Sequence, residues 1–350
     1  MKWKPILMVG LFSKNEVSKN VYRTAADQLA HLFRKNKIPV ITTSYHAGKF
    51  RRLTDTVGTI FSKRNKFDIA ILPLYGTTPS FIWQEIAARL LKLFQKKIIL
   101  VVHGGSIPER MKENAQPFLE TLQRANLVVC PSDFMQEVLK KYDIESVVIE
   151  NVLDLSAYTF IVKKNIRPRI LWMRAFEDIY NPKMAVQVAM ILRRKYTDFK
   201  MVMAGADKGL LEEIQAMIEK ENLQDLIELP GYINLEQKKV FANEYDLFIS
   251  TNHIDNAPVS MIEFMAMGLP VISTNVGGIA YMIEDTINGF LVPPNDAVAM
   301  AEKIIEQIEK PGTATRIARN AFNFSRKFDE EIVLEKWTTQ INSLYKNNNE

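Results

Sequence analysis

Two carboxylates, Asp255 and Glu263, frame the segment in which chemistry is most legible: Asp255-Asn256-Ala257-Pro258-Val259-Ser260-Met261-Ile262-Glu263. Pro258 suits a first helical position, Asn256 lies where a cap could form, and Gly268 suits the exit. The pattern predicts a short helix over about 258–267, with Val259, Ile262 and Ala266 as its apolar stripe and Glu263 beside that stripe. A carboxylate so placed is costly to bury without donors such as ligand hydroxyls. The helix mouth, residues 256–259, adds free backbone N–H groups and the positive end of a dipole. Two acceptor-only side chains reaching one pocket suit a polyol such as a sugar nucleotide. A capped helix with a surface glutamate fits the same spacing.

Such side chains need a scaffold, and it is legible as alternation. Apolar runs at Ile6–Val9, Val40–Thr42, Ile69–Leu72, Ile98–Val102, Leu127–Cys130 and Val147–Ile149 alternate with amphipathic stretches. The pattern resumes at Ile170–Met173, Met201–Ala204, Ile227–Leu229, Leu247–Ser250 and Val271–Ser273. Continuous apolar strands alternating with helices imply parallel sheets covered on both faces. Eleven runs exceed one comfortable open sheet. The patternless stretch Asn151–Pro168 supplies the break. The expected fold is α/β, with two Rossmann-like parallel-sheet domains at residues 1–155 and 165–325. Ligands bind beyond the carboxyl ends of such strands, which directs attention to the residues directly after each run: Gly10, Tyr75-Gly76, His103-Gly104-Gly105 and Ser132, then Arg174, Gly205, Gly231-Tyr232, Thr251-Asn252 and Asn275 to Gly278.

The segment from Asp255 to Gly278, continued by Asn288-Gly289-Phe290-Leu291-Val292, resembles the donor-binding signature of glycosyltransferase family 4, retaining enzymes of the GT-B fold. That family usually carries two glutamates separated by seven residues; here aspartate holds the first position. Ile170-Leu171-Trp172-Met173-Arg174 followed by Asn181-Pro182-Lys183 resembles its strand arginine and helix lysine, and His103-Gly104 its histidine–glycine pair. The resemblance implies two domains facing a central cleft, with Arg174 and Lys183 on the donor diphosphate and His103 against the donor sugar. It also implies donor contacts from Asp255, Asn256, Ala257, Pro258, Val259 and Glu263, with Tyr232 near the base. His103, Arg174, Lys183 and Asp255 are the implied catalytic residues. A guanidinium and an ammonium can neutralise charge on a leaving phosphate, in the place a divalent ion takes elsewhere. No cofactor is implied, because the nucleotide-diphosphate sugar is a substrate, with UDP favoured over GDP.

The implied reaction is hexosyl transfer with retention to a glycan, lipid-linked or other hydroxyl acceptor, in polysaccharide or glycoconjugate assembly. The last helix, 327–346 with Trp337, resembles the family's terminal helix that crosses back onto the first domain. One departure is the loop Gly10-Leu11-Phe12-Ser13-Lys14-Asn15-Glu16, which has Gly10 but not the family's paired glycines. Other readings on the same fold are a phosphorylase, an epimerase, or a nucleotide-sugar-binding subunit without turnover.

Composition narrows the field. The single cysteine, Cys130, lies in an apolar run; it excludes a disulfide framework and reads as core packing. No Asp-x-Asp triplet and no His/Cys cluster of metal-ligand spacing occurs. His31, His46 and His253 read as structural or surface residues. No stretch approaches a membrane-spanning length, and Ile6–Val9 is too short for a signal-peptide core. The expectation is a cytoplasmic protein. Residues 1–150 carry 23 Lys and Arg against 13 Asp and Glu, whereas the remainder has a balance of −5. No nucleic-acid motif accompanies that charge. A basic N-terminal domain suggests an anionic membrane surface on the inner face of the membrane.

Overall fold

The computed structural model describes residues 3–13, 24–46, 48–76 and 78–346. The chain forms two compact units, Met1–Val152 with Phe328–Glu350, and Leu153–Lys327. The first unit alternates β1 (Ile6–Leu11), α1 (Ala25–Lys35), β2 (Val40–Ser44), α2 (Lys49–Lys63), β3 (Ile69–Leu74) and α3 (Thr78–Leu93). It continues through β4 (Lys97–Val102), α4 (Ile107–Asn114), α5 (Gln116–Leu122), β5 (Leu127–Cys130), α6 (Asp133–Lys140) and β6 (Val147–Val148). The second unit holds β7 (Arg169–Met173), α7 (Pro182–Leu192), β8 (Lys200–Ala204), α8 (Leu211–Lys220), β9 (Ile227–Gly231) and α9 (Leu235–Glu244). After these come β10 (Leu247–Ser250), α10 (Val259–Ala266), β11 (Val271–Thr274), α11 (Ile279–Met282), β12 (Phe290–Val292), α12 (Ala297–Glu309) and α13 (Pro311–Ser325). The last helix, α14 (Glu330–Lys346), returns to the first unit.

Each unit is built on a six-stranded parallel sheet, ordered β2-β1-β3-β4-β5-β6 and β12-β11-β10-β7-β8-β9. Helices cover the strands, so all six residues of β3 are buried, as a parallel sheet requires. All eleven apolar runs are strands, and the α/β expectation of two Rossmann-like sheets holds. The structure adds β12, the three apolar residues directly after Asn288-Gly289. The patternless stretch contains one short 3-10 turn, Leu155–Ala157.

In the first unit, α14 closes the sheet's face. Trp337 meets Phe33 of α1 edge-on at 6.2 Å, Trp3 Nε1 donates to Asn342, and Lys336 pairs with Glu150 at 2.6 Å. Cys130 is fully buried, and burial raises its thiol to about 11. In the second unit the core centres on Trp172, whose indole N–H donates to Thr251 Oγ1 at 2.9 Å. That bond satisfies a buried donor and ties the end of β7 to the end of β10.

Candidate functional site

The second sheet reverses direction between β7 and β10: the chain runs outward through β8 and β9, then returns to the other side of β7. Ligands of open α/β sheets bind at such a switch, beyond the strands' carboxyl ends. Phe248 lies opposite Leu171 and Ile249 opposite Trp172, so the residues that follow the two strands leave the sheet together. Arg174 follows β7, and its Nη2 is ion-paired with Asp255 Oδ2. The guanidinium carbon also lies 4.8 Å from the ring centre of Tyr180. Asp255 accepts from the Asn252 carboxamide at 2.8 Å and from the backbone N–H of Asn256 at 2.8 Å. Asn252 Oδ1 is buried with no hydrogen-bond partner among the described residues, an acceptor left open beside this pair. Burial lowers the Arg174 guanidinium to about 10, opposed by Tyr180 and Glu263. It remains a cation at neutral pH.

Glycines allow this crowding. A Cβ on Gly205 would stand 1.7 Å from the Arg174 carbonyl oxygen. One on Gly278 would stand 1.7 Å from the Asn256 carbonyl oxygen, while Gly278 N–H donates to Asp255 O at 2.8 Å. The Gly277-Gly278 pair therefore packs backbone on backbone against the loop that carries Asp255. Any side chain at 278 must displace that loop.

Helix α10 starts one residue later than the sequence predicts. Pro258 is its N-cap, with extended backbone, rather than its first helical residue, and no side chain caps the helix. The single apolar stripe is also corrected. Every residue from Ser260 to Ala266 is buried, because β10, β11 and α13 all pack against this helix. Ser260 Oγ donates to Met173 O at 3.2 Å, fastening the helix mouth to β7. Glu263 is the only ionisable residue in the helix, and it is not a surface glutamate. It accepts from Tyr158 Oη at 2.9 Å and from Lys238 Nζ at 2.9 and 2.7 Å.

The structure brings Arg174, Asp255, Asn256, Ser260 and Glu263 together around the switch point, with Ala257 and Val259 half-buried at the helix mouth. Lys183 stands apart from the pair: on the first turn of α7, it is half-exposed and bonded to Glu213 at 2.7 Å. Such surface pairs contribute at most about 1 kcal/mol, so the ammonium is easily redirected. Tyr232 is 68% exposed, directly after β9. Sequence reasoning pointed to Asn252 by its place after β10 without giving it a role, and missed Lys238, Tyr158 and Tyr180. Tyr158 and Lys238 had no local signal, since they reach Glu263 from 105 and 25 positions away.

His103 lies in the first unit, after β4. Its ring stacks on Tyr75 at 6.1 Å, and burial lowers the imidazole to about 4, so it is neutral at physiological pH. With Met8, Leu29, Ile71, Val101 and Trp337 it lines a largely apolar cavity. Ser13 donates from both N–H and Oγ to Asp27, which anchors the start of the loop after β1; Lys14, Asn15 and Glu16 lie outside the described residues. His253 is exposed, and His31 and His46 are partly buried. Among the described residues no helix is long and apolar enough to cross a membrane.

Residues 160–324 match the family model described as glycosyl transferases group 1. A protein of Escherichia coli (strain K12) named for colanic acid biosynthesis, WcaL, is 23% identical over 272 residues, 73% of this chain and 66% of that protein. The poly(ribitol-phosphate) alpha-N-acetylglucosaminyltransferase of Staphylococcus aureus (strain COL) is 26% identical over 237 residues, 66% of this chain and 47% of that protein. This chain thus spans about half to two thirds of the length of these curated relatives. Among solved structures, a sucrose-phosphate synthase from Thermosynechococcus elongatus aligns over 98% of this chain and 99% of its own, with TM-score 0.79 and 16% identity. The Anabaena protein HepE in complex with UDP aligns over 97% of this chain and 100% of its own, with TM-score 0.73 and 16% identity. These structures share the fold. The family match lies in the second unit, and the fold shared with these structures is that of two Rossmann-like domains.

Proposed function

We propose that this chain is a retaining, metal-independent hexosyltransferase of glycosyltransferase family 4, which takes its sugar from a nucleotide diphosphate. The observation that carries the reading is the Arg174–Asp255 pair at the β7/β10 switch point, beside the mouth of α10. Arg174 has five donors and spends one on Asp255 Oδ2. The remaining N–H groups are available to a diphosphate, and Asp255 fixes the plane in which they point. Lys183, released from Glu213, adds a second cation. Together they stabilise charge on the leaving nucleotide, the largest single contribution a site of this kind makes. UDP is the favoured nucleotide; the Anabaena and S. aureus neighbours were solved with UDP. The acceptor is a glycan or a lipid-linked saccharide, in keeping with relatives named for colanic acid and amylovoran biosynthesis. A donor-turnover assay across UDP- and GDP-sugars tests this. Transfer or slow hydrolysis that survives EDTA is expected. Tight binding without turnover would instead favour a nucleotide-sugar-binding subunit, and strict dependence on added magnesium or manganese would contradict the role given to the cations.

The first unit's charge has a structural counterpart. Phe50 (78% exposed) and Phe61 (57%) stand three turns apart on one face of α2. On α3, Ile82, Ile86 and Leu93 are also exposed. Lys49, Arg51, Lys63 and Lys92 are exposed on the same two helices, and Arg64 lies over the Phe61 ring at 4.6 Å. Aromatic side chains among cations suit a peripheral position on anionic lipid, at about 1 kcal/mol per cation near the surface. Arg52 does not serve this surface, since it packs over Trp83 at 4.8 Å. Sedimentation with liposomes is the test: binding should require anionic lipid, fall with salt, and weaken in Lys49→Glu/Arg51→Glu. Equal binding to neutral vesicles would contradict it.

A further inference from the structure

Glu263 has its side chain 8% exposed, in a helix whose other buried residues are apolar or small: Ser260, Met261, Ile262, Phe264, Met265 and Ala266. Nothing in packing calls for a charge there. A buried ion pair is a weak source of stability, and apolar residues of similar volume often serve the fold as well or better. The carboxylate is nevertheless held from two elements. Lys238 rises from α9, whose first turn is set by the capping box of Asn234 and Gln237. Tyr158 arrives on the segment before β7, which is pinned to the end of α10 by Ile161 N–H donating to Met267 O at 3.1 Å. A carboxylate offers about four lone-pair sites. Lys238 takes one on each oxygen and Tyr158 takes a second on Oε1. One acceptor direction remains, on Oε2.

We infer that Lys238 and Tyr158 are positioning residues, which fix the Glu263 carboxylate so that its Oε2 accepts one hydroxyl of the nucleotide-sugar donor. This rests on the donor-site reading above. The ammonium and phenol act through Glu263 and need not touch the ligand themselves. Their loss is therefore felt as a weaker hold on the donor, with KM raised more than kcat is lowered. A merely structural ion pair would instead lower stability and leave the donor KM alone.

The test is calorimetric and kinetic titration of a panel of UDP- and GDP-sugars against wild type, Lys238→Met, Lys238→Arg, Tyr158→Phe, Glu263→Gln and Lys238→Met/Glu263→Gln, with Arg174→Ala as reference. Lys238→Met should weaken donor binding about tenfold or more, the scale of a lost hydrogen bond to a charged group. Lys238→Arg should retain most of the affinity, and Tyr158→Phe should weaken it by a smaller factor. The double variant should bind no more weakly than Glu263→Gln alone, because the two residues act on one contact. If Lys238→Met fails to fold, Tyr158→Phe and Lys238→Arg carry the same comparison. Wild-type affinity in Lys238→Met or Tyr158→Phe, with binding lost in Arg174→Ala, would overturn the inference and leave the donor site standing. Wild type that binds no member of the panel would overturn both.

Discussion

The two units share one sheet design and put different chemistry at its strand ends. In the second unit these ends carry charge: Arg174 against Asp255, and Glu263 against Lys238, each side chain less than a fifth exposed. In the first unit the ends of β3 and β4 are followed by Tyr75 and His103, a phenol uncharged at neutral pH and an imidazole that burial lowers to about 4. Its cations stand outside instead, on α2 and α3. Paired, preoriented charges suit a ligand that carries charge of its own, whereas a neutral wall suits hydroxyls and leaves recognition to shape. The fold thus supplies position, and a partner of opposite charge keeps a buried side chain ionised.

The comparison breaks most readily at Arg174. Arg174→Ala should lower kcat by about 10²–10³, the scale of removing a donor from a developing anion. Arg174→Lys should rescue it poorly if the contact is bidentate. Near-normal turnover in a folded Arg174→Ala protein would remove the second unit's claim to the leaving group. Asp255→Ala and Glu263→Ala should each cost about tenfold to a hundredfold in kcat/KM. Unchanged kcat/KM in either would return that carboxylate to a structural role.

The smallest expected effect lies in the first unit and concerns acid. His103 is held near 4 when folded and returns to its ordinary value of 6.5 when unfolded. Between those values the unfolded chain binds the extra proton, so this group's contribution is lost as pH falls from 6.5 towards 4. The unfolding midpoint of His103→Gln should therefore drop less steeply over that window than wild type. Parallel curves would show that the imidazole is not held neutral by burial.

Much of this was legible in the sequence, for identifiable reasons. Strands covered by helices tend to be apolar runs, so eleven of the twelve were visible as strands, whereas the apolar Phe290-Leu291-Val292 of β12 was read only as part of the donor-binding signature. Arg174 and Asp255 stood out because each follows such a run closely. Helix α10 misled because an apolar stripe and an apolar cylinder look alike over eight residues, and only the neighbours β11 and α13 distinguish them. The partners of Glu263 were invisible for a different reason. Tyr158 lies in a stretch without periodicity, and Lys238 is one of two adjacent lysines on a helix of largely polar sequence. Nothing local marks either as reaching a carboxylate. Lys183 shows the opposite case, a residue picked out by its register whose side chain rests on a surface glutamate.

The central claim, that the charged strand ends of the second unit hold the nucleotide diphosphate, is tested most directly by calorimetric titration of UDP into three proteins. These are wild type, Arg174→Ala and the surface variant Lys49→Glu/Arg51→Glu. Wild type and the surface variant should bind UDP alike, and Arg174→Ala should bind at least tenfold more weakly, as expected when a hydrogen-bonded ionic contact is lost. Equal affinity in wild type and Arg174→Ala, or loss of binding in Lys49→Glu/Arg51→Glu, would contradict the account.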